Sequence, residues 1–151
     1  MNPLIACTVL CLALAAGPAV GASPGDKDAI AMTERAAALI KAKGKREMVK
    51  RILARDPEFY QEAMYLDMRD LYTGIVLAHP INPAMMGTDK SAAVGPQAGQ
   101  YPRQVIELAQ RSGKGWVDYQ YRHPASGAIE AKSSYVLRVD DVVLEAGILK
   151  Q

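Results

Sequence analysis

Cysteine is nearly absent from this sequence. The two that occur, Cys7 and Cys11, both lie within the first 22 residues. If that segment is cleaved, the remaining chain cannot form a disulfide framework, a thiolate metal site or a cysteine nucleophile. Histidine is as scarce, with His79 and His123 the whole complement. Two histidines so far apart lack the spacing of paired ligands, so neither a metal nor a cofactor is expected. Enzyme signatures are missing too: there is no G-x-S-x-G, no glycine-rich phosphate loop and no H-E-x-x-H. Asp67, Asp118 and Glu145 could be paired on paper, but almost any chain offers such carboxylates. No catalytic residue is assigned, and the chain is expected not to be an enzyme. A small hydrolase, which would need a nucleophile and base within hydrogen-bond reach, is the weakest alternative. Excess charge is also lacking. Eighteen Lys and Arg against 16 Asp and Glu leave +2, too little to imply nucleic acid. No repeat or low-complexity run is present.

The first 25 residues carry no charged side chain. Leu4 to Ala16 is apolar apart from Thr8, and Gly17, Pro18 and the small residues Val20-Gly21-Ala22 follow. That layout predicts a signal peptide over residues 1–22, cleaved near Ala22. The apolar core is shorter than the about 20 residues of a spanning helix. A retained N-terminal anchor is the alternative. Residues 23–151 then form one domain, periplasmic or secreted, large enough to bury a core.

The C-terminal third is the most legible part. Trp116 to Arg122 reads as a strand rich in aromatic and β-favouring residues, broken by His123-Pro124-Ala125-Ser126-Gly127. Lys132 to Val139 is the next strand, Asp140-Asp141 a tight turn, and Val142 to Leu149 the last strand. Such short links imply antiparallel neighbours. Upstream, a helix capped by Asp26 or Asp28 runs to about Lys43, with Ala29, Met32, Ala36, Leu39 and Ile40 on one face. Gly44 ends it, and Lys45 to Ala54 forms a second helix or the continuation of a bent one. Seven bases from Lys41 to Arg55 (Lys41, Lys43, Lys45, Arg46, Lys50, Arg51, Arg55) face one acid, Glu47. They offer either a landing site for an anionic partner or a solvated helix face. Glu62 to Arg69 alternates, Met64, Leu66 and Met68 against Tyr65, Asp67 and Arg69, which is a strand. Ile75 to His79 is its hairpin partner. The long segment Pro80 to Gln100 suits a loop that covers a functional site. Tyr101 to Gln110 is a short helix. The fold class is therefore α+β: a five-stranded antiparallel sheet, an N-terminal helix or helix pair, and one short helix between strands two and three, the helices gathered on one side.

Four segments in this order, Val76 to Pro83 (VLAHPINP), GWVDY, KSSYV and EAGILK, resemble the single Cache family of extracytoplasmic sensor domains. The resemblance covers roughly Met64 to Lys150 and implies a PAS-like fold that binds a small molecule, often an organic acid. Leu149 stands where such domains often carry an aromatic residue. With the sequence ending at Gln151, signal output is expected from a separate partner, such as the ectodomain of a membrane receptor or kinase. A ligand-free module docking on a membrane receptor is the competing expectation.

Lys132 lies inside a strand, where its ammonium needs water or an anion. It is either a carboxylate anchor at a pocket mouth or a lysine snorkelling from an exposed face. Tyr119, Tyr121 and Tyr135 combine apolar contact with a hydroxyl. Alternation places Tyr119 and Tyr121 opposite Trp116, and Tyr135 opposite Lys132, so these candidates cannot all point one way. Trp116 is a ligand contact or a core residue. His79, at a strand end before Pro80, could hold its imidazole over a pocket.

Overall fold

The apolar stripe Ala29, Met32, Ala36 and Ile40 becomes the buried side of helix α1, Asp26–Lys43, in a computed structural model that describes residues 23–89, 93–96 and 98–150. Residues 1–22, expected to be a signal peptide, lie outside the described residues. Burying Met32 and Ile40 contributes roughly 1.5–3 kcal/mol each. The cap differs from expectation. Gly25 is the N-cap, and Asp28 reaches back from the third helical position to accept the Gly25 N–H at 2.8 Å. Gly44, at φ 84° and ψ 161°, separates α1 from α2, Lys45–Leu53, so these are two helices.

The strands are β1 Tyr60–Gln61, β2 Met64–Asp70, β3 Val76–Ala78, β4 Lys114–Arg122, β5 Ile129–Val139 and β6 Val142–Leu149. The expected five are present, and the two-residue β1 makes a sixth. The sheet is antiparallel in the order β1-β2-β6-β5-β4, with β3 also paired to β2. The last strand thus lies between β2, the earliest long strand, and β5, so that β4, β5 and β6 form a meander. Between β3 and β4 come a short 3-10 turn, Pro83–Met85, and helix α3, Tyr101–Ser112, which ends at left-handed Gly113.

Alternation sorts the strands onto two faces. Met64, Leu66 and Met68 of β2, Tyr135 and Val139 of β5, and Leu144, Ala146 and Ile148 of β6 form one core with α1 and α2. On the other face Val117, Val136 and Val143 pack against Tyr101, Val105 and Ala109 of α3. The helices are therefore on both faces, not gathered on one. Both faces of β6 are buried, so each needs a cover. The long loop leads into α3 and packs Ala93 against the second face. The Val94 N–H donates to the Gln120 carbonyl at 3.0 Å, and Ala93 bridges to Tyr121 on edge strand β4.

The basic run is partly tied down. Lys45 pairs with Asp141, Arg51 with Glu47 at 3.1 Å and Asp56 at 3.2 Å, and Arg55 Nε donates to the Pro80 carbonyl at 3.0 Å. These contacts fit the solvated-face alternative.

Candidate ligand-binding site

The second sheet face carries a set of buried and half-buried polar residues near the start of α3. Tyr65, Asp67 and Arg69 come from β2, because β2 turns its methionines and Leu66 to the other core. Glu145 stands opposite Asp67 on β6. Glu145 Oε1 accepts from Arg69 Nε at 2.5 Å, and Oε2 accepts from the Tyr101 hydroxyl at 2.5 Å. Ser134 Oγ lies 3.2 Å from that hydroxyl and 3.4 Å from Tyr119's. Arg69 and Glu145 are 2% and 1% exposed. Such an ion pair contributes little net stability, yet losing either member leaves a charge stranded. Asp67 is different. Its Oδ1 is buried without a hydrogen-bond partner, while Oδ2 lies 4.0 Å from His79 Nε2. Burial, and then the Glu145 charge, hold its carboxyl well above the usual carboxylate range.

Lys132 is buried and lies with its ammonium 4.6 Å from the ring centres of both Tyr65 and Tyr121. Aromatic faces attract a cation, but they leave its hydrogen-bond donors free. Burial lowers its pKa, against the opposing pull of Asp67 and Glu130. Gly147 makes this position accessible. A Cβ there would stand 3.3 Å from Lys132 Cε and 3.2 Å from Ser134 Oγ. The Tyr65 and Tyr121 hydroxyls meet at 3.2 Å. His79 Nδ1 accepts backbone N–H groups from Ile81 at 3.3 Å and Asn82 at 3.0 Å, so its proton sits on Nε2, facing Asp67. Burial, with Arg69 and Lys132, pushes its pKa down to about 4. His79 is therefore a neutral donor at physiological pH.

These groups border two neighbouring spaces that share Tyr65 and Tyr121 in their walls. An inner recess among Tyr65, Asp67, His79 and Met85 has a free volume of about 10 Å³, room for about one water-sized group. An outer depression of about 300 Å³ shares Tyr65 and Tyr121 with it and has Lys132 in its wall, with Glu62, Glu130 and Leu149 around the mouth. The 3-10 turn supplies Met85, so the long loop covers the recess. A roomier hollow of about 550 Å³ lies between α3 and Tyr72–Gly74. No buried charged side chain among the described residues faces it.

Of the residues singled out from sequence, the structure brings Lys132, Tyr119, Tyr121 and His79 together. It places Trp116 and Tyr135 on the opposite face, where their rings pack 5.2 Å apart against the α1 core. Sequence reasoning missed Tyr65, Asp67, Arg69, Glu145, Tyr101 and Gly147. A usable signal existed: Tyr65, Asp67 and Arg69 share one face of a strand whose other face is apolar, and Glu145 interrupts the most apolar strand. Asp118 takes no part, being paired with Lys150 at 2.6 Å. Among the described residues no group of three His, Asp or Glu could hold a metal ion, and no helix is long and apolar enough to cross a membrane.

The fold is shared with known sensor domains. A periplasmic sensor domain of a chemotaxis protein superposes with a TM-score of 0.63 at 22% identity, covering 83% of this chain and 90% of that one. A Cache chemosensory domain described for carboxylic acid recognition gives 0.62 at 22% identity, covering 83% and 88%. A methyl-accepting chemotaxis protein from Vibrio parahaemolyticus gives 0.66 at 20% identity, covering 82% and 86%. At these identities the likeness is one of fold. No curated protein sequence matches the chain. The family model for Single Cache domain 2 matches residues 29–147, nearly the whole described fold, and the chain therefore belongs to the single Cache domain family of sensor domains.

Proposed function

We propose that this Cache domain works outside the cytoplasm as a receptor for a small carboxylate, and that it signals through a separate membrane receptor or kinase. Residues 1–22 would direct export and be removed. The observation that carries the ligand assignment is the ammonium of Lys132, buried on two tyrosine rings with its hydrogen-bond donors unspent. A carboxylate entering from the outer depression would accept from Lys132 and from the Tyr65 and Tyr121 hydroxyls, which now meet each other. The inner recess is too small for a carbon chain, so a ligand whose chain enters it would displace these side chains or the Met85 turn. That displacement is a natural origin for a signal. A charge-assisted bond of this kind contributes about 1.5–3 kcal/mol, and a few of them give affinities that are roughly micromolar or weaker.

Titration of the purified domain with small mono- and dicarboxylates, followed by calorimetry and thermal melting, tests this. At least one acid should raise the melting temperature. Lys132→Met should lower its affinity by roughly ten- to a hundred-fold while leaving the unliganded fold about as stable, since methionine keeps the apolar stem and removes a buried charge. A panel with no hit, or an unchanged response in the variant, would remove the carboxylate assignment.

A further inference from the structure

His79 Nε2 carries a proton, because both backbone contacts of the ring are accepted by Nδ1. The carboxylate oxygen it faces, Asp67 Oδ2, is 4.0 Å away. That is too far for a direct hydrogen bond. An unused donor and an acceptor therefore stand side by side in the wall of a recess with about 10 Å³ free. The other Asp67 oxygen, Oδ1, is buried without an N–H or O–H donor. Glu145 lies directly across the ladder from it, with both oxygens engaged by Arg69 and Tyr101. Oδ2 is therefore the Asp67 oxygen available as an acceptor on the side of the recess.

We infer that His79 and Asp67 together form a subsite for a hydroxyl group, so that the carboxylate ligand is a 2-hydroxy acid. This rests on the carboxylate assignment above. A hydroxyl oxygen about 2.8 Å from each partner spans the gap, accepting from His79 and donating to Asp67. Its size suits the recess, and the carboxylate one carbon away stays with Lys132 and the Tyr65–Tyr121 pair at the boundary of the outer depression. The other substituents fit less well. An ammonium cannot accept the His79 proton. A keto oxygen accepts it but gives nothing to Asp67. A plain methylene leaves both buried groups unpaired, the arrangement that discriminates most strongly between a ligand with a hydroxyl and one without.

Four three-carbon acids separate these cases in the wild-type domain: propionate, lactate, pyruvate and alanine, each titrated by calorimetry at pH 7. Lactate should bind at least about tenfold more tightly than each of the others. Asp67→Leu removes the acceptor and should reduce the lactate-to-propionate ratio to near one. If Asp67→Leu does not fold, the wild-type panel decides alone. A smaller lactate preference in the wild type, or tightest binding by pyruvate or alanine, overturns the hydroxyl subsite and leaves the carboxylate assignment standing. Binding by none of the four, nor by any other carboxylate, overturns both.

Discussion

Asp67 and Glu145 occupy facing positions on β2 and β6 with a single arginine salt-bridged to one of them, and that imbalance sets the chemistry of the site. Glu145 takes Arg69 and Tyr101, so Asp67 is the carboxyl whose pKa is raised, by burial first and then by its neighbour's charge. The pKa is raised on folding, so the native state keeps a proton that the unfolded chain releases above about pH 3.9. Asp67 therefore opposes folding increasingly as pH rises through that value, until the native carboxyl ionises too. Asp67→Asn removes this cost. Its melting temperature should equal that of the wild type below about pH 4, rise above it as pH increases, and stay above it at pH 7. Melting curves across this range check the sign, and a variant less stable than wild type at pH 7 would mean Asp67 is ionised and paired. A residue kept at a cost in stability is what a binding site leads one to expect. From sequence, Asp67, Asp118 and Glu145 were equivalent carboxylates. Only the β2–β6 register distinguishes the buried pair from Asp118, which reaches Lys150 at the surface.

At the scale of elements, α3 is joined to the sheet through its first residue. Tyr101 donates to Glu145 at 2.5 Å and its ring packs 4.0 Å from that of Tyr119, while Val105 and Ala109 fill the second core. Tyr101→Phe keeps the ring and removes the hydroxyl, leaving a buried carboxylate oxygen without its donor. The expected cost is about 1.5–3 kcal/mol, read from denaturant midpoints. Hydrogen exchange should speed up in α3 more than in β5 and β6. A loss within about 0.5 kcal/mol would show that the hydroxyl contributes nothing to docking the helix. The helices and the meander were legible because each rests on a local period bounded by turn residues: Gly44, Gly113, and the His123–Gly127 break. The two-residue β1 was not, since so short a strand shows no alternation.

At the scale of the molecule, the sheet closes by inserting β6 between β2 and β5, so the Arg69–Glu145 contact joins residues 76 apart in sequence. A site made across such a ladder exists only once the whole domain has folded, and ligand binding should stabilise the domain as one cooperative unit. The proposed removal of the N-terminal segment belongs to the same scale. Expressed with residues 1–22 in place, the protein should be recovered from the extracytoplasmic fraction with Ser23 as its first residue. N-terminal sequencing that returned Met1 from a membrane fraction would overturn removal of the segment.

The sequence by itself determined the elements, their order, and which residues share a face within each strand. Those properties depend on periods of 3.6 and 2 and on turn chemistry, all of them local. It also placed Lys132, Tyr119 and Tyr121 on faces whose parity could be counted, though it left open which face was the pocket. Tertiary structure decided that. Packing α1 against the Met64–Leu66–Met68 face sends Trp116 and Tyr135 into one core, and turns Lys132, Tyr119, Tyr121, Asp67 and Glu145 to the other side. The choice depends on strand register between residues far apart in sequence, and a one-residue slip would exchange the two faces.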